Sequence, residues 1–249
     1  MLGDVGQNID TSTPNTRYEV KNLGTWSSVE DVNTFLDACN HVTGYYGATI
    51  GSYITINDGT YNKEWVIAGF DMEHNKMASD GIVYDNGYGI CLIPKNSLGN
   101  YAWSHIVNGY TNTYKKSDIH QTILPDVANN LKNVLGDHLI ERRVLLSSSR
   151  NASYYADAYT WTTAYCTLMS AGQITGTFAS NSNMYDDGEA NYKLPLFNYE
   201  TWSFDELAWL RGLHHDRSNA GVYCITTSGD VAKRDCNNSG GLRPLIYIR

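Results

Sequence analysis

A chain of 249 residues can bury a full hydrophobic core in one large domain. Its formal net charge of −8 and the absence of a basic run set it against phosphate backbones and anionic lipid headgroups, so nucleic acid and membrane surfaces are poor partners. No apolar run approaches the roughly 20 residues that span a bilayer, and residues 1–8 lack a basic start and an apolar stretch, so no Sec-type signal is visible.

Residues 1–24 are polar, with Asn8, Asp10, Thr11, Ser12, Thr13, Pro14, Asn15 and Thr16 and few large apolar groups. Such a segment gains too little burial to offset its ordering entropy, so the reading is an N-terminal arm that is disordered alone or ordered by a partner. Ser27 with Glu30 three residues on is a capping-box pattern, and Val29, Val32, Leu36 and Cys39 recur near helical spacing. A helix is predicted over 28–40. The pattern then turns to alternation, with Tyr53 and Thr55, the hairpin signal Asn57-Asp58-Gly59, and a return through Tyr61 and Trp65-Val66-Ile67.

Short strands are predicted at 81–84 and 90–94. Ser117-Asp118 precedes apolar residues at Ile119, Ile123, Val127, Leu131 and Leu135, a helical series that Pro125 either divides or kinks and that Gly136 stops. Val144-Leu145-Leu146 reads as a buried strand. Residues 150–200 are rich in Asn, Ser, Tyr and Gly, so long loops are expected there. Two last strands, at 221–226 and 243–248, are expected to close the sheet.

The final forty residues divide by character. Trp209-Leu210-Arg211 and Gly240-Gly241-Leu242-Arg243-Pro244-Leu245-Ile246-Tyr247-Ile248 read as buried frame. Between them lies a polar and aromatic interval, 212–239, with His214, His215, Arg217, Asn219, Tyr223, Asp230, Lys233, Arg234 and Asn237. Those side chains combine adaptable hydrogen bonding with rigid aromatic area, the palette of recognition surfaces. The excess of Tyr over Phe, 19 to 5, fits an exposed contact surface. Trp65 and Trp209 read as core packing, and Arg211 and Arg243 as hydrogen-bonding carbonyls or carboxylates such as Asp205 or Glu206.

The same end of the chain carries a family resemblance. Trp-Leu-Arg, followed by Gly-Leu-Arg-Pro and a short apolar strand, resembles the closing signature of a domain family with a C-type-lectin-like fold. That family occurs in phage structural proteins and bacterial surface proteins and is distantly related to formylglycine-generating enzymes. Glu64-Trp65-Val66-Ile67-Ala68-Gly69-Phe70-Asp71 looks like its early core strand, Trp103-Ser104 with Ile119 and Leu124-Pro125 like its helical region, and Leu145-Leu146-Ser147-Ser148-Ser149 like its middle strand. Met169-Ser170-Ala171-Gly172-Gln173-Ile174-Thr175-Gly176, Tyr185-Asp186-Asp187-Gly188 and Leu194-Pro195-Leu196-Phe197 are closest to phage members. The resemblance covers about residues 50–249.

It implies an α+β fold, with a C-type-lectin-like mixed sheet, flanking helices and long loops over 25–249. It implies a phage virion surface protein, made without a signal peptide and displayed on the particle. The arm would dock to other virion proteins, and the 212–239 face would meet a host-surface protein or glycan, with several copies adding avidity. A decoration or fibre component of head or tail is the alternative, and a bacterial surface adhesin is a further one. Formylglycine-generating enzymes hold copper with a close cysteine pair, whereas Cys224 and Cys236 are twelve apart and lack that context, so no enzyme is expected.

The remaining candidate chemistry is thin. His214-His215-Asp216 are adjacent residues, which seldom point at one ion. Asp186, Asp187 and Glu189 form a weak calcium candidate without the alternating oxygen ligands of a full calcium loop. Ser147-Ser148-Ser149 has no flanking signature of an activated serine. No nucleophile elbow, phosphate loop, Cys-x-x-Cys or H-E-x-x-H occurs in the sequence. Of the cysteines Cys39, Cys91, Cys166, Cys224 and Cys236, most read as buried thiols, with a disulfide between Cys224 and Cys236 left open.

Overall fold

Strand positions follow from which segments are apolar on one face and which on both. The computed structural model describes residues 20–39, 47–77, 82–105, 113–150, 156–176, 184–185, 192–198, 204–214 and 221–249. In chain order the first elements are β1 (Asn22–Trp26), α1 (Val29–Asp37), β2 (Tyr53–Asn57), β3 (Asn62–Phe70), β4 (His74–Met77), β5 (Val83–Asp85), β6 (Ile90–Pro94) and β7 (Asn100–Ala102). A wide π turn at Ile119–Ile123 leads into α2 (Leu124–Leu135), followed by β8 (Arg142–Arg150), β9 (Ala156–Ala164), β10 (Thr167–Leu168) and α3 (Ala171–Thr175). The C-terminal part holds β11 (Met184–Tyr185), β12 (Ala208–His214), β13 (Gly221–Ile225), β14 (Val231–Asp235), β15 (Ser239–Gly241) and β16 (Pro244–Ile248).

The class is α+β, built on two mixed sheets. One runs β1-β2-β3-β6-β16-β10, parallel only between β1 and β2. The other runs β14-β13-β12-β15-β7, parallel only between β12 and β15, with β11 beside β12. Position in the sheet matches pattern. β6 and β16 sit inside the first sheet and are buried along their whole length, whereas β2, next to its edge, alternates buried with half-exposed side chains. The two remaining pairs, β4–β5 and β8–β9, are antiparallel ribbons. Among the described residues no helix is long and apolar enough to cross a membrane.

Several sequence expectations need correction. The boundary of the expected arm at residue 24 falls within a strand, since Asn22–Trp26 pairs with β2; residues 1–19 lie outside the described residues. The capping box that starts α1 is Ser28 with Asp31, one residue on from Ser27 and Glu30. The Asp31 carboxylate accepts from both the Ser27 and Ser28 amides, at 2.8 and 3.0 Å. The expected loops at 150–200 contain the nine-residue strand β9, whose threonines and aromatics pair with β8. The last two predicted strands belong to different sheets, β13 in the second and β16 inside the first.

The four-residue spacing of the 119–135 series has a local cause. Four residues overshoot a 3.6-residue turn by about 40°, so a straight α-helix would rotate that series off its buried face. The π turn, closed by the Leu124 amide on the Ile119 carbonyl, takes up the extra residue before α2 begins at Leu124. Beyond it Val127, Ala128, Leu131, Val134 and Leu135 hold one buried stripe.

The second sheet is fixed by close contacts that demand particular residues. Trp209 on β12 is fully buried, and its indole N–H donates to the Tyr101 carbonyl on β7 at 2.7 Å. Gly240 on β15 lies directly beneath it, where a Cβ would stand 2.6 Å from the indole ring. The indole of Trp103 donates to the Leu210 carbonyl at 2.9 Å, fastening the segment after β7 to β12. Trp209→Ala is expected to cost about 3–5 kcal/mol and Gly240→Ala about 1–3 kcal/mol by overpacking, both read by urea denaturation. In the double variant the alanine at 240 should add little, because the indole is gone and the remaining close neighbour, a Leu207 methyl at 2.9 Å, is the movable end of a side chain; a Gly240→Ala protein as stable as the parent would contradict this packing.

Candidate functional site

The interval between the frame segments is laid on β12, β13 and β14. β12 is anchored from below, since Arg211 is fully buried and donates to the Leu168 carbonyl at 3.4 Å, and its amide donates to the Met169 carbonyl at 3.1 Å. Arg243, also fully buried, donates to the Asp205 carboxylate and lies 4.9 Å over the Phe204 ring. Burial pulls its pKa below the ordinary guanidinium value, and the charges of Asp205 and Glu206 oppose that shift. Pro244 pairs with Leu168 across β16 and β10, and Trp65 is buried on β3. These residues hold the sheet; none is presented to solvent.

The β13–β14 hairpin carries the described part of the predicted face. Its turn is closed by Thr226, whose hydroxyl accepts the Asp230 amide at 3.2 Å, and by the Ser228 hydroxyl, which donates to the Asp230 carboxylate at 2.7 Å. Asp230 is exposed at that tip, Arg234 is exposed on β14, and Asn237 is exposed in the turn that follows. Lys233 is half-buried and stands opposite Tyr223. His214 ends β12 opposite Met184. His215, Arg217 and Asn219 lie outside the described residues, as do Asp186, Asp187 and Glu189 of the calcium candidate.

Tyr223 is a correction to the displayed-surface reading. It is only 5% exposed, and burial pushes its hydroxyl up to about 12, so it belongs with the core. The sequence concealed this because β13 is buried along all five residues, leaving no alternation to mark an outer face. Cys224 and Cys236 are buried free thiols. The Cys224 thiol donates to the Ala232 carbonyl at 3.5 Å, and burial raises its pKa to about 11 against the pull of Arg234. Among the described residues no group of three His, Cys, Asp or Glu side chains is gathered closely enough to hold a metal ion. The face therefore offers ionic and hydrogen-bonding contacts on a rigid sheet. Compared with protein-family models, with curated proteins and with solved structures, the chain has no match in any of the three.

Two features escaped sequence reasoning. One is a buried polar network centred on Glu73 and Arg142, which are 69 residues apart, a separation at which no local pattern announces a pair. The other surrounds the π turn. There His120 is largely buried, 4.9 Å from the Tyr114 ring, with Lys115 nearby. Burial first, then the Lys115 charge, pull its pKa from 6.5 to about 4, so the folded protein holds the imidazole neutral. Because the folded value lies below the unfolded one, the unfolded chain binds the extra proton as pH falls. This contribution to stability is complete above pH 6.5 and is lost on descending to about 4. Denaturation between pH 7 and 4 should show a smaller acid loss for His120→Phe than for the parent; parallel curves would contradict a buried neutral imidazole.

Proposed function

We propose that this chain is a C-type-lectin-like surface protein of a phage particle, attaching through its 212–239 face to a host-surface protein or glycan. The observation that carries the reading is the contrast within the last forty residues. Trp209, Arg211, Arg243 and Pro244 are buried, while Asp230, Arg234 and Asn237 on the adjoining hairpin face solvent. A rigid sheet that presents cations, a carboxylate and an amide is suited to recognition, because little ordering entropy is lost on binding. The closing-signature resemblance supplies the phage context, with the N-terminal arm as the tether to other virion proteins and several copies on one particle.

One observation favours a second reading, a decoration or fibre component that contacts no ligand. With Tyr223 in the core, the described part of the face has no aromatic anchor, the residue type that usually concentrates interface energy. The two readings separate in one experiment. Lys233→Ala, Arg234→Ala and Asn237→Ala are combined, unchanged melting is checked, and adsorption to host cells or purified envelope is measured. Attachment through this face predicts a loss of tenfold or more, for which about 1.4 kcal/mol suffices. Adsorption equal to the parent would move the assignment to decoration.

A further inference from the structure

Away from the β13–β14 hairpin, the turn at Tyr114–Lys116 packs near β8 and leaves an open cleft of about 470 Å³ lined by Lys115, Lys116, Gln121 and Ser148. A space of this size lies within the range of small-ligand sites, about 300–1,000 Å³. Three features make it more than a surface dent. First, part of its lining comes from unusual backbone: Gln121 sits in the π turn, a geometry frequent at functional sites. Its amide is positioned by donation to the Lys115 carbonyl. Ser148 sits at an irregularity in the β8–β9 register, between Ser147 and Ser149.

Second, the charge is uncompensated. Among the described residues no carboxylate lies within ion-pair distance of either lysine ammonium. The nearest acidic residue in sequence, Asp118, is engaged by His105, accepting its amide at 2.6 Å and facing its ring nitrogen at 2.5 Å. In a chain of net charge −8, two adjacent cations with no ion-pair partner among the described residues are a local inversion of sign. Third, the remaining lining is an amide and a hydroxyl, which match alcohol groups, and the described lining carries neither the aromatic platform nor the guanidinium that nucleobases stack upon.

We propose that this cleft binds an anionic saccharide, with Lys115 and Lys116 facing its carboxylate, sulfate or phosphate and with Gln121 and Ser148 hydrogen-bonding its hydroxyls. Ammonium groups on flexible stems suit such a wet, open site, where a point charge serves better than a fixed fork. None of its lining residues belongs to the 212–239 interval, so this site stands whether or not that face attaches to anything.

The test titrates the full chain with carboxylated, sulfated and phosphorylated hexasaccharides, a neutral hexasaccharide, inorganic sulfate and a single-stranded oligonucleotide. At least one charged hexasaccharide should bind, more tightly than the neutral one and than free sulfate. Raising ionic strength from about 0.01 to 0.15 M, which shortens the screening length from about 30 to 8 Å, should weaken it. Lys115→Ala with Lys116→Ala should lose tenfold or more at unchanged melting, and the corresponding pair of arginines should retain binding. Five results would each overturn the assignment: no binding of any charged hexasaccharide, sulfate bound as tightly, preference for the oligonucleotide, indifference to salt, or full binding by the folded double-alanine protein. Adsorption of the Lys233, Arg234 and Asn237 variant is read separately and does not bear on these outcomes.

Discussion

Two ionic side chains inside the protein, Glu73 and Arg142, are each exposed by no more than 1% and are paired with each other. Neither tolerates burial alone, since an uncompensated charge in the interior costs several kcal/mol. Every remaining lone pair and proton around them is therefore under pressure to find a partner. The Glu73 carboxylate also accepts from Asn86 at 2.7 Å and from the Tyr192 hydroxyl at 3.1 Å. Arg142 donates to the Thr167 hydroxyl at 2.5 Å and lies 4.6 Å over the Tyr247 ring. Tyr192 in turn accepts from Gln173 at 2.8 Å, and Asn86 clamps the Arg143 amide and carbonyl at 2.8 and 3.0 Å.

The network joins segments that no single strand pairing connects. Glu73 comes from the tight loop between β3 and β4; Asp71 in that loop and Asn75 on β4 both adopt positive φ, a conformation Asp and Asn accept more readily than most residues. Arg142 opens β8, Thr167 lies on β10, Gln173 on α3 and Tyr247 on β16. Satisfying one buried pair thus sets the β8–β9 ribbon, the short helix and one side of the first sheet in a common arrangement. The second sheet is joined to it where Arg211 and its amide reach the Leu168–Met169 backbone. The result is a scaffold in which the buried cations Arg142, Arg211 and Arg243 each donate to a fixed acceptor.

Legibility in the sequence followed burial symmetry. The Asn57-Asp58-Gly59 turn, the uniformly apolar 90–94 strand and the apolar spacing of the 127–135 helix were readable because each pattern has one structural solution. Arg243 was readable in kind, since a buried cation needs a carbonyl or carboxylate acceptor, and of the two carboxylates considered the structure pairs it with Asp205. β9 was not, because Tyr-Thr-Trp-Thr-Thr borders an Asn- and Ser-rich stretch and pairs with a strand that is itself half polar. Tyr223 failed for the opposite reason: a tyrosine in a polar interval reads as exposed, and only the five-residue burial of β13 decides otherwise. Glu73 and Arg142 are 69 residues apart, and nothing local announces a pair at that separation.

The dependence of the scaffold on this pair is measured most directly by a double-mutant cycle. Glu73→Ala and Arg142→Ala should each cost about 3–5 kcal/mol by urea denaturation, because each leaves the other charge buried and unpaired. The double variant should cost little more than either single one. Losses that simply add would mean that the two side chains act independently and that the buried pair does not organise the fold.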